Sequence, residues 1–189
     1  MKNAIIHISF IVSTILFASK ASLTRENFTG IANNLGHYQA LIGWSIIAAC
    51  YFYRYSMRLF KSQDWHPNYL KPVSIVIFIG ISVSGFIPYN DSHIHLEALH
   101  TLCSLGASLL FLGLLLKFMF DMQFSQPLFY QTYHLWLRMI IATLMILLMT
   151  FGNVNSLIEV VMVISLCCFF LFVEFNEKEK FFCKKHFTN

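Results

Sequence analysis

The chain has 189 residues, of which 57% are hydrophobic and only 12% charged, against about 25% charged in an ordinary soluble domain. Its formal charge of +4 is small and scattered, which excludes a nucleic-acid partner as the organising principle. The mean hydropathy of +0.64 comes from long apolar runs, so the composition is that of an integral membrane protein, and the alternating segments of a transmembrane barrel are absent.

Taken in chain order, the apolar runs predict six membrane-spanning helices. They cover about residues 3–19, 37–53, 72–88, 97–119, 136–151 and 156–175. Each approaches the roughly 20 residues that a helix needs to cross about 30 Å of hydrocarbon. The fold class expected is therefore an all-α bundle of six transmembrane helices over 1–175, followed by a basic tail over 176–189.

Lysine and arginine set the orientation. Lys2, Arg54, Arg58, Lys61, Lys71, Lys117, Arg138, Lys178, Lys180, Lys184 and Lys185 all fall on one side of that arrangement, and Lys20 and Arg25 on the other. Both termini are then cytoplasmic, in a plasma or inner membrane or a eukaryotic endomembrane. Segments 20–36, 89–96 and 152–155 face outside. Tyr53, Tyr55, Trp65, Tyr69, Tyr89, Trp136 and Phe175 fall near the predicted boundaries, where interfacial aromatics belong. The first run also fits a cleavable signal peptide, with small residues at Ser19 and Ala21; a retained helix is the preferred reading. The mixed-charge tail reads as a solvated end whose lysines meet anionic headgroups.

The cysteines lack zinc-ligand spacing. Cys167 and Cys168 read as small packing residues within the last helix. Ser84–Gly85 reads as a place where two helices approach closely.

The polar residues that need explaining cluster in "HIHLEALH", residues 93–100. His93, Glu97 and His100 fall at i, i+4 and i+7, so they share one helical face, and Ser104 continues the stripe. An ionisable side chain within a membrane is costly and turns toward the bundle interior. His37, Asn155 and Glu159 are predicted on the same outer side. Together they suggest an outward-facing polar pocket of His37, Glu97, His100, Asn155 and Glu159 that contacts a lipid headgroup or small ligand. Membrane lipids are the expected partner, with a second copy of the chain a further candidate. Histidines facing outside or a lumen also respond to pH between about 5 and 7.

Other readings stay open. A His100–Glu159 hydrogen bond would satisfy both groups structurally. His93, Glu97 and His100 are candidate zinc ligands for an intramembrane lipid hydrolase, although the spacing is not H-E-x-x-H. His37/His100 and His66/His134 are candidate axial pairs for two b-type haems. The segments "GHYQALIGW" and "IHLEALHTLCSLG" look somewhat like the haem helices of transmembrane cytochromes of the b-five-sixty-one type. No cofactor at all is the leading expectation. Asn27-Phe28-Thr29 and Asn90-Asp91-Ser92 match the glycosylation acceptor pattern. No Gly-rich phosphate loop or G-x-S-x-G elbow is present.

Three segments carry a family resemblance: "YFYRYSMRL" (51–59), "SGFIPYNDSHIHLEALHTLCSLGASLLF" (84–111) and "LIEVVMVISLCCFFLFVEFNE" (157–177). With the span count and orientation, they make the chain resemble the six-span DRAM (damage-regulated autophagy modulator) superfamily and its bacterial relatives. Two features depart from that pattern: Glu159 is followed by Val160 rather than Trp, and the first outer loop lacks prolines. The resemblance implies a role in trafficking, lipid handling or stress signalling rather than a defined catalytic activity, and some relatives act in GPI-lipid remodelling.

Overall fold

The computed structural model describes residues 2–87 and 94–186, and among them every regular element is helical. The elements are α1 (Lys2–Ala18), α2 (Phe28–Asn34), α3 (Tyr38–Ser62), α4 (Leu70–Ser84), α5 (Ile94–Thr101), a π-helical turn (Leu102–Gly106), α6 (Ala107–Ser125), α7 (Pro127–Phe151) and α8 (Ser156–His186). Three stretches are long and apolar enough to cross a membrane: His95–Ser125, Pro127–Phe151 and Ser156–Asn176. Two shorter apolar helices accompany them, Asn3–Ala18 and Leu70–Ser84. The outer surfaces carry bare apolar side chains, among them Phe124, Leu128 and Met149, at 72%, 69% and 81% exposure. Patches of this kind are costly in water and ordinary against lipid. The chain is a helical membrane protein.

α1 buries one stripe. His7, Phe10, Thr14 and Phe17 are inside, and Asn3 begins the same line. The spacing of four, then three, is that of a packing seam. The stripe faces α8 and α3. α3 in turn packs on α4, α4 on α6, α6 on α7, and α7 back on α8.

α4 stops at Ser84, short of 88, α6 continues to Ser125, past 119, and three further boundaries run well beyond those expected. α3 continues to Ser62 instead of ending near residue 53. Beyond the apolar run it keeps Tyr55, Ser56, Leu59 and Phe60 buried, with Arg54, Arg58 and Lys61 on the other face. The helix is amphipathic there, so a hydropathy boundary underestimates it. It closes at Asp64, which takes a left-handed φ of 53°, while Trp65 N–H bonds Phe60 O at 2.9 Å; this is the backbone geometry of a tight helix stop. α7 begins at Pro127 rather than near 136. Proline suits a first helical position, and Phe129 and Tyr133 are already core residues. Only Gln126 separates α6 from α7, and its side-chain amide donates to Gln63 O at 2.9 Å. The backbone of α8 runs on to His186, through most of the expected tail.

Tyr55 and Trp65, read as interfacial aromatics, lie in the core at 3% and 6% exposure. Trp65 buries its ring against Phe60 and Phe118 and donates its indole N–H to Asp121 at 3.0 Å. Tyr89 lies outside the described residues, as does the Asn90-Asp91-Ser92 triplet. Cys167 is fully buried, and the thiols of Cys50, Cys103, Cys167 and Cys168 are free.

Candidate functional site

Polar groups gather at two places, one at each end of α1. The first surrounds α2, a short helix that hydropathy does not reveal. Asn27 starts it as an N-cap, its side-chain oxygen accepting from Gly30 N–H at 2.7 Å. Phe28 and Ile31 fasten it to the bundle, with Phe28 edge-on to Phe17 and Trp44 at ring distances of 5.1 and 4.7 Å. Trp44 also donates to Thr14 at 3.1 Å, which joins α3 to α1 beneath α2.

Three of the predicted site residues converge on this helix and the loop before it. His100, at 6% exposure, meets Thr29 through Nε2 and Ile87 O through Nδ1, both at 3.0 Å. A carbonyl only accepts, so Nδ1 carries a proton, and a neutral ring takes the Thr29 hydroxyl proton at Nε2. Glu159 accepts the Phe28 N–H at 2.8 Å. Thus His100 and Glu159 do not form the bond to each other that the structural reading expects; they hold adjacent residues of α2. Asn155 is fully buried. Its side-chain oxygen caps α8 through Ile158 N–H at 3.1 Å, and its amide donates to Thr24 O at 3.3 Å. Ser156 adds backbone and hydroxyl bonds to Glu26 O, each 2.7 Å. Asn155→Ala is expected to destabilise the protein by about 1–2 kcal/mol, read as a lower thermal midpoint in detergent.

The remaining candidates are placed differently. His37 precedes α3 as its N-cap residue, half-buried and without a side-chain capping bond. Glu97 is half-buried on α5, one turn before His100. His93 lies outside the described residues. The stripe does not continue smoothly to Ser104, because the π-helical turn Leu102–Gly106 shifts the register there; Ser104 Oγ turns back to Thr101 O at 3.5 Å. Asn27 and Thr29 of the glycosylation triplet are used locally, one as the cap and the other against His100.

Among the described residues no three His, Cys, Asp or Glu side chains are grouped to hold a metal ion. Three of the four rings in the haem reading are engaged locally. His100 is held as above, His66 is exposed and pairs with Asp64 at 3.5 Å, and His134 Nδ1 bonds its own helix at Tyr130 O, 2.8 Å away. The lone pair of His100 that a metal would use is the one now facing Thr29.

The second gathering was not anticipated from sequence. His7 is fully buried between α3 and α8, its Nδ1 in a short hydrogen bond with the Tyr51 hydroxyl. Glu174 of α8 accepts from Asn3 at 2.9 and 3.2 Å and pairs with Arg58 of α3 at 2.8 Å. His7 Nε2 lies 3.9 Å from the same carboxylate and has no hydrogen-bond partner. The available signal was the seam of α1, which puts Asn3 and His7 on one line. In the sequence Arg58 reads as a topology charge and as part of the 51–59 segment, and in neither case as a partner of α1 or α8.

No family model, curated protein or solved structure matches the chain.

Proposed function

We propose that the chain is a non-catalytic, six-span membrane protein with both termini cytoplasmic, whose outer face carries at α2 a seat for a lipid headgroup or small polar ligand. The observation that carries this reading is the convergence of His100 and Glu159, from two different apolar helices, on Thr29 and Phe28. Polar side chains set this deep among apolar helices are costly and mark functional positions. The π-helical turn next to His100 is a second feature common at such positions. The bias of Lys and Arg supports the orientation, and the likeness to DRAM-like proteins agrees with lipid handling.

The seat works by exchange. A headgroup hydroxyl donates to His100 Nε2 in place of Thr29, and a headgroup phosphate or carboxylate accepts from the Phe28 amide in place of Glu159. α2 then shifts without unfolding the bundle beneath it.

The test is lipid retained per chain after detergent purification, counted by mass spectrometry. Losing a contact worth about 1 kcal/mol lowers retention about fivefold, so His100→Ala should retain that much less lipid than the wild type. Thr29→Val removes the Thr29 hydroxyl from His100 Nε2 and should retain at least as much lipid as the wild type. Wild-type retention in a folded His100→Ala protein would reduce the cluster to a structural clamp.

A further inference from the structure

We propose that His7 is a proton-binding site inside the bundle, supplied through Glu174 from the end where Arg58 is exposed. This site is separate from α2 and does not depend on the lipid reading.

The geometry is that of a ring suspended between a phenol and a carboxylate. His7 is fully buried, yet one of its two nitrogens has no hydrogen-bond partner. That atom, Nε2, faces Glu174 across 3.9 Å, longer than a hydrogen bond by roughly 1 Å. The other nitrogen is tied to Tyr51. Buried polar atoms are rarely left unmade, and this one points at a carboxylate already shared by Asn3 and Arg58.

The groups facing His7 come from three helices. α3 contributes Tyr51, Tyr55 and, through the carboxylate, Arg58. Arg54 is the remaining nearby charge on α3 and points outward. α8 contributes Glu174, and Cys167 beside Tyr51. α1 contributes Asn3, which bonds the same carboxylate. α2, which also touches α1, has no titratable residue. Among the described residues, Glu174 is therefore the one negative group directed at the ring.

The step balances simply. In the tautomer proposed here, Nδ1–H donates to the Tyr51 oxygen, and Nε2 presents a lone pair toward Glu174. A proton taken up from water by the carboxylate leaves its O–H bond and forms the Nε2–H bond, giving imidazolium beside carboxylate. Charge attraction then closes the gap, and Glu174 is shared between His7 and Arg58. The proton goes no further. Phe10 stacks on Tyr51 at a ring distance of 4.3 Å and separates it from Thr14 and Trp44, so the site opens at one end only. A protonated His7 draws α1 toward α8 and loosens the hold of Arg58, which is 51% exposed.

The experiment is nitrogen NMR of the full-length protein in detergent, with ring-labelled histidine, across about pH 8 to 5. His7 is assigned by the signal lost in His7→Gln, or, if that variant does not fold, by the Nδ1 signal that moves in Tyr51→Phe. The expected result is conversion of the His7 ring from one protonated nitrogen to two while the protein stays helical. Glu174→Gln should leave less of the ring doubly protonated at the acid end of that range. Arg58→Gln should move it the opposite way, because the carboxylate is left to His7 alone. A purely structural network would not give opposite signs. A ring that keeps one protonated nitrogen throughout in folded protein, or that converts at the same pH in both variants, overturns the proposal.

Discussion

Gly85→Val is expected to destabilise the bundle by about 1–3 kcal/mol, seen as an earlier unfolding transition in detergent. Gly85 has an ordinary φ of −67°, so backbone strain is not the cause. The cause is proximity. A Cβ at this position would run into Ser45 Oγ and come within 2.9 Å of Ser45 Cβ and 3.4 Å of Ile42 Cα. Ser45 cannot swing away at no cost, since its hydroxyl bonds Ile42 O at 2.9 Å. Ser45→Gly should restore much of the loss in the double variant and do little alone. Gly80, on another side of α4, meets Ala107 Cβ and Cys103 O at 2.9 and 3.3 Å. α4 is therefore gripped by α3 at its C-cap glycine and by the π-helical turn and the start of α6 at Gly80, which is how small residues let membrane helices approach.

Glu174→Ala is the second large effect, about 2 kcal/mol. Hydrogen bonds between membrane helices contribute about 0.6 kcal/mol each on average, and this change removes the two from Asn3 together with the Arg58 pair. It also strips His7 Nε2 of the carboxylate it faces. Arg58→Ala should cost much less, under about 1 kcal/mol, because water screens a half-exposed guanidinium. Equal costs for the two variants would mean that the network acts only through the ion pair.

Much of the fold was legible where apolar residues run unbroken. A helix lies over most of each predicted run, but α1 stops at Ala18 and α4 at Ser84, short of 19 and 88, and among the described residues three stretches are long and apolar enough to cross a membrane, not six. Ser84–Gly85 was correctly read as a close approach. The missed boundaries share a cause: α3 and α7 extend through stretches that are polar on one face and buried on the other, and hydropathy averages the faces together. α2 has only seven residues, too few for any periodic pattern, and its cap Asn27 is the one local cue. At the site, His100, Glu159 and Asn155 were singled out because each is polar within or beside an apolar run. Their common target was not visible, since it lies more than seventy residues away in the chain. His7 escaped notice because one histidine in an apolar helix reads as isolated until Glu174 is brought to it by folding.

The most direct measurement of the α2 seat is amide hydrogen exchange over residues 28–34, compared between lipid-replete protein and the same protein depleted of lipid in detergent. A bound headgroup that replaces Thr29 and Glu159 as partner protects these amides, so depletion should speed their exchange about tenfold while the core of α3 is unaffected. Identical exchange at α2 in both preparations would contradict a ligand seat there and leave His100 and Glu159 as clamps on a fixed helix.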